Sequence, residues 1–275
     1  MLRSLNSGVS AMQQFQGEMD VIANNIANVN TVGYKSARVD FADAFSQMVS
    51  GSSPSNSKQV GTGVVTSSIT NQFTQGAVSN TGKPTDLAIS GDGFFMVRDA
   101  DSGEQFATRA GDFILDTDHY LVTSQGLRVQ GYSDAGLTTF GDVRIDNTGA
   151  PGGSSADVKR ISIDANGKIS VVLQGSTEQF VRGQVLLQRF ASPQALAKEG
   201  NNLYSGMAAA GPLAQLAAPG TSGLGDVLSY SLEMSNVDLA GQFAELITTQ
   251  RAFQASARII TTSDEVLQEL VNLKR

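Results

Sequence analysis

Residues able to do chemistry are few in this chain, and their spacing does not suit it. The only histidine, His119, sits in Asp116-Thr-Asp-His-Tyr120, which reads as a turn between strands. A metal site or a catalytic triad needs further strong ligands or a nucleophile within reach, and none accompanies it. A solvated turn histidine is the expectation. Asp99-Ala-Asp101-Ser-Gly103-Glu104 has the outline of a calcium loop, but its glycine comes one place early and the twelfth position is Ala110 rather than glutamate. It reads as a hairpin turn. Gly61-Thr-Gly63 has no third glycine and no following helix, and Gly82-Lys83 runs into Pro84, so neither cradles a phosphate. The chain holds no cysteine, which excludes disulfides, thiolate catalysis and cysteine-based zinc sites. The expectation is a protein that is not an enzyme and takes no cofactor or metal.

Composition bounds the alternatives. The 275 residues leave room for one to three compact units. Only 16% are charged, against roughly 25% in an average domain, while Gly reaches 29 residues and Ser, Thr, Asn and Gln are plentiful. That profile suits β-structure with many turns. A formal net charge of −7, with no basic cluster, argues against a nucleic-acid partner or an anionic membrane surface. No apolar stretch approaches the length of a membrane span, so no membrane insertion is expected. The first residues, Met1-Leu-Arg-Ser-Leu-Asn-Ser-Gly8, lack the apolar run of a cleaved leader.

The elements are organised around the two ends. From Asn236 to Arg275, Leu239, Phe243, Leu246, Phe253, Ala257, Ile260, Leu267 and Val271 follow steps of four and three, with Gln250 and Asp264 as the interruptions. That is a heptad stripe, and a helix this long reaches roughly 55 Å. Near the N-terminus, Leu2, Leu5, Val9 and Met12, then Phe15, Met19, Ile22, Ile26 and Val29, repeat the theme with one short step between Met12 and Phe15. Gly8 and Gly17 each lower helix propensity by roughly 1 kcal/mol relative to Ala, so this helix needs its stripe covered. The two helices are expected to pair as a coiled-coil stem. Because Phe243, Leu246, Ile247, Phe253, Ile259, Ile260, Val266, Leu267 and Leu270 wrap more than one face, the excess implies further copies of the same chain.

Between the ends the pattern changes. Asn24-Asn-Ile-Ala-Asn28 followed by Asn30-Thr-Val-Gly-Tyr-Lys35 stops the first helix, and Gly33 supplies a turn. This block fits either a plain helix-to-loop junction or an inter-subunit role. Phe41-Ala-Asp-Ala-Phe45 places two rings on one helical face, as a small satellite core would require. Residues 46 to 62 read as a flexible linker and 149 to 155 and 208 to 225 as loops. Strand patterns run through Val64–Thr70, Leu87–Ser90, Phe94–Arg98, Gln105–Thr108, Leu127–Gln130, Ile161–Ile163, Lys168–Leu173, Val181–Phe190 and Val227–Leu232. The hairpin Asp164-Ala-Asn-Gly-Lys168 is the clearest turn among them. The fold class is therefore α+β and multidomain: residues 1–30 and 235–275 form a helical stem, 31–85 a connection, and 86–234 an all-β sandwich-like or barrel-like middle.

These blocks resemble the flagellar rod–hook family of bacterial axial proteins, and within it the hook branch. The resemblance rests on Leu5-Asn-Ser-Gly-Val-Ser-Ala-Met12 with Ala23-Asn24-Asn25-Ile26-Ala27-Asn28, then Gly33-Tyr34-Lys35. It continues through Asp86-Leu-Ala-Ile-Ser-Gly-Asp-Gly-Phe-Phe95, Leu232-Glu-Met-Ser-Asn-Val-Asp-Leu239, Thr249-Gln-Arg-Ala-Phe253 and Ser263–Leu273. It implies a structural subunit of the hook that self-assembles into a helical, torque-transmitting tube, with its terminal helices lining an export channel. It also implies delivery by the flagellar type III apparatus and a place in the hook–basal body, extracellular after export. The implied partners are copies of the chain, neighbouring rod and hook-junction proteins, the hook cap, and the type III export gate, to which Phe41 and Phe45 would be presented. The resemblance makes a rod protein the alternative, because the chain is too short for the extra outer domain common in hook subunits. A more distant alternative from the residues alone is a secreted adhesive β module on a coiled-coil stem.

Overall fold

A computed structural model describes residues 2–50, 58–148, 158–175, 178–213 and 216–273, with backbone alone at 2, 3, 47–50 and 58–60. The chain forms two compact units, each assembled from separated stretches. The first unit takes Met1–Val29, Ser36–Gln72 and Val237–Arg275, and the second Asn30–Lys35 and Phe73–Asn236. This division differs from the expected one, because residues 36–72 join the helices instead of forming a connection.

In the first unit, helix α1 (Leu2–Ala27) packs along the C-terminal helix α3 (Leu239–Leu273). At 35 residues α3 extends about 52 Å. The α1 helix is continuous through the short Met12–Phe15 step, and it ends before Val29, where Asn28 N–H donates to Asn24 O. A third element replaces the expected linker. Strand Ala37–Asp43 pairs antiparallel with Val64–Asn71, and Ser46–Ser50 pairs with Lys58–Gly61. The described strands between 37 and 71 thus fold back on one another as a hairpin; of the linker expected at 46–62, residues 51–57 lie outside the described ones, as do 149–155 of an expected loop. Phe41 and Phe45 therefore do not share a helical face. A register shift between Asp40 and Phe41 re-aims Phe41, whose ring meets Phe15 edge-on at 6.2 Å. Phe45 stays 94% exposed.

Among its described residues the second unit is β-structure apart from a one-turn helix α2 (Met207–Ala210) and a 3-10 turn at Pro193–Ala195. Its large antiparallel sheet runs Val158–Ile163, Lys168–Leu173, Gln179–Val185, Arg128–Tyr132, Phe94–Arg98, Gln105–Thr108, Leu203–Ser205, Ala197–Gly200 in spatial order. Alternation along Phe94–Arg98 feeds two cores. Phe95 and Val97 join Val129, Val143, Ile169 and Val185, while Phe94 and Met96 join Phe190, Leu196 and Tyr204 on the other face. The hairpin turn at Asn166-Gly167 forms as its sequence indicates, with Gly167 at φ 73° and its N–H donating to Asp164 O. The segment expected as one run, Val181–Phe190, is divided into Gln179–Val185 and Leu187–Gln188, which pair with different strands.

Candidate assembly surface

The α3 stripe that meets α1 is one residue off the apolar count. Gln242, Leu246, Thr249, Phe253, Ser256, Ile260, Ser263 and Leu267, all half-buried or buried, again step four and three, with Glu245, Ala252 and Ala257 half-buried beside them. Leu246, Phe253, Ala257, Ile260 and Leu267 of the expected stripe are half-buried. Leu239 and Phe243 are exposed instead, and Gln250 and Asp264, the apparent interruptions, lie off the seam on the exposed surface. Seryl and threonyl groups fit a helix seam because each can satisfy its hydroxyl on its own helix; Ser256 Oγ donates to Ala252 O at 3.0 Å. Their small size also permits close approach. A Cβ on Gly8 of α1 would lie 3.2 Å from Ile260 Cγ1 and 3.6 Å from Ser256 O, so Gly8 is a contact point and not merely a weak spot in its helix. Leu5, Val9, Met12, Met19 and Ile26 are half-buried and Ile22 fully buried; the Leu2 side chain lies outside those described.

Polar residues knot this unit at one end. Asn25 is 1% exposed. Its Nδ2 donates to Ala37 O at 2.8 Å and to Gln242 Oε1 at 2.9 Å, and its Oδ1 accepts from Ala37 N–H at 3.0 Å. One amide thus joins α1, the hairpin and α3. Gln242 in turn donates to Glu245 Oε2 at 3.1 Å. Glu18 on α1 hydrogen-bonds Thr249; burial pushes its carboxyl above the ordinary range, the Thr249 bond lowers it and the Glu245 charge adds to the rise. Of the other motif residues, Ala23, Asn24 and Ala27 are exposed, and Asn28 Nδ2 caps the helix end on Asn24 O and Oδ1.

The rest of the motif belongs to the second unit. Gly33 has φ 67°, and a Cβ there would meet Ala110 N at 2.5 Å, so only glycine fits. Its N–H donates to Glu233 O at 2.8 Å. Tyr34 is buried, with the Lys198 ammonium 3.9 Å above its ring, and burial raises its phenol's pKa. Lys35 Nζ, fully buried, meets Glu233 Oε1 at 2.6 Å and Thr74 O at 2.8 Å. Arg109 Nη1 approaches Glu233 Oε2 at 3.3 Å, and the Gly76 N–H donates to Oε1 at 2.9 Å. Burial lowers the pKa of both cations, while Glu233 pulls them back up. Glu233 was named only within the Leu232–Leu239 block and Arg109 not at all, and neither was given a role from the sequence. The available signal was their rarity: charged side chains inside otherwise neutral, apolar-rich runs of a sparsely charged chain.

Outside the seam, α3 exposes Phe243, Ile247, Ile259, Val266, Leu270, Val271 and Leu273. Phe243 is 49% exposed and Leu273 82%. Because Gly8 lies opposite Ser256 and Ile260, the last turns of α3 run past the start of α1. No cluster of His, Cys, Asp and Glu able to hold a metal occurs among the described residues, and no described helix is long and apolar enough to cross a membrane.

Helical ends, an all-β middle and an uncovered apolar helix surface define a subunit built for packing. Three family descriptions match in chain order. They are "Flagella basal body rod protein" over 5–35, "Flagellar hook protein FlgE/F/G D1 domain" over 88–171 and "Flagellar basal body rod FlgEFG protein C-terminal" over 228–273. The flagellar basal-body rod protein FlgG of Bacillus subtilis is 44% identical over 284 positions, covering all of both chains. That of Caulobacter vibrioides is 34% identical over 99% of this chain, and the flagellar hook protein FlgE of Borreliella burgdorferi 29% over 445 positions. The chain belongs to the flagellar rod–hook axial family, a family of structural, self-polymerising subunits of the bacterial flagellum. Membership in that family displaces the adhesive-module reading.

Proposed function

We propose that this chain is a rod subunit, with the hook as the second reading. Length carries the choice. Rod relatives align end to end over about its own length, whereas the alignment to the hook relative spans 445 positions against 275 residues, leaving a large part of that hook protein without a counterpart. The hook reading keeps one point in its favour, the family description naming the hook protein over 88–171. In the rod reading the uncovered α3 surface packs against other copies, and the terminal helices face the channel through which later subunits pass. Neighbouring axial proteins cap the polymer at either end. Type III export delivers the chain, with Phe41 and Phe45 as the contact offered to the export gate.

A gene deletion separates the two readings. Basal bodies purified from the deletion strain should lack the outer part of the rod as well as the hook when viewed by electron microscopy. A complete rod lacking only the hook would overturn the rod reading. Complementation with a Phe41→Ala/Phe45→Ala chain tests the gate contact; retention of that chain inside the cell is expected, and secretion at the normal level would remove the gate role.

A further inference from the structure

The chain crosses between its two units four times, after residues 29, 35, 72 and 236. On the side of the second unit, every stub formed by these crossings is tied to one buried point. Asn30–Lys35 is held through Gly33 N–H on Glu233 O and Lys35 Nζ on Glu233 Oε1. The stub beginning at Phe73 is held through Thr74 O, which accepts from Lys35, and Gly76 N–H, which donates to Glu233. The stub ending at Asn236 supplies Glu233 itself, and Asn236 Nδ2 returns to Thr74 Oγ1 at 2.8 Å. Arg109, anchored to Gly91 O at 2.9 Å and lying over the Phe94 ring, brings a second cation from the body of the sheet.

The charge balance gives this point a direction. Lys35 and Arg109 are two buried cations, and Glu233 is the one carboxylate that meets both. Burying a cation without a counterion is strongly unfavourable, so neither can settle before Glu233 arrives. Glu233 comes from strand Ser231–Glu233, near the end of the chain, and reaches its place by pairing with Val78–Asn80.

We propose that Lys35, Arg109 and Glu233 form a closure latch. The stubs that continue into the helical unit are locked to the β unit only when the C-terminal segment has docked and its carboxylate has neutralised the two waiting cations. Incomplete or unclosed chains keep these stubs loose, so only a closed subunit offers fixed attachment points for its helices. Glu233 is the trigger, and Lys35 and Arg109 are positioning residues.

Hydrogen exchange on the full-length chain tests this, comparing the wild type with Glu233→Gln, Lys35→Met and the double variant. Glu233→Gln removes the carboxylate that both cations meet, leaving Arg109 only the Asp92 charge, and should speed exchange at the Gly33 and Gly76 amides by about tenfold or more, with the Val97 and Val129 amides unchanged. Lys35→Met leaves the Arg109–Glu233 pair balanced and should do less. The decisive comparison is the double variant. Removing Lys35 from the Glu233→Gln chain relieves one unpaired cation and should restore part of the protection, which a loss of packing alone would not do. A double variant as loose as Glu233→Gln, or looser, overturns the latch. If Glu233→Gln does not fold, folding of the double variant supports the proposal and its failure overturns it.

Discussion

Asn25 shows how much one side chain settles in this molecule. Its amide reproduces a strand-like double hydrogen bond to residue 37 and adds a third to Gln242, so three elements share one buried group. Asn25→Ala leaves the Ala37 N–H and the Gln242 oxygen without this partner and should cost about 1–3 kcal/mol, read as a lower midpoint of the helical melt by circular dichroism. Asn25→Asp should not rescue it, because a carboxylate sets acceptor against acceptor at Ala37 O and Gln242 Oε1. An unchanged melt for Asn25→Ala would refute the clamp. The asparagine cluster was legible as a helix stop, since asparagine competes locally for backbone groups. Which asparagine is buried was not legible, because its partners lie 12 and 217 positions away. Lys35 and Glu233, 198 positions apart, were hidden for the same reason.

Among the elements, α3 separates two uses of apolar surface. Counting Leu and Phe finds the helix and half of its seam but draws the line through Phe243, which is exposed, rather than through Thr249 and Ser256, which are buried. The reason is physical. Close packing against α1 at Gly8 favours small residues such as Ser256, whose hydroxyl is satisfied within the helix, and Thr249 bonds Glu18 of α1, so the seam is not the most apolar line. This divides a pair of otherwise similar substitutions. Leu246→Asp should weaken the helix pair within one chain by about 2 kcal/mol, seen as a lower helical midpoint of the isolated subunit. Phe243→Asp should leave that midpoint in place and abolish tube formation in sedimentation at high concentration. Tubes from the Phe243→Asp chain would remove the exposed face from the interface. Within the linker expected at 46–62, Ser46–Ser50 pairs with Lys58–Gly61, although Ser, Gln, Lys and Gly fill most of both strands. Pairing with a second strand outweighs that composition.

For the whole molecule, sequence and tertiary structure answer different questions. Helical stripes, strand alternation and the Asn166-Gly167 turn were readable because each depends on neighbours within a few positions. Side-chain periodicity and turn stereochemistry act at that range. From them followed the α+β class and long terminal helices around a β middle. The division into two interleaved units, the seam's true register and the joining of four chain crossings at Lys35, Arg109 and Glu233 arose only in the folded chain. Burial and pairing are set by contacts between distant segments. A lysine that reads as a surface charge becomes a buried one only when the glutamate that neutralises it is folded against it.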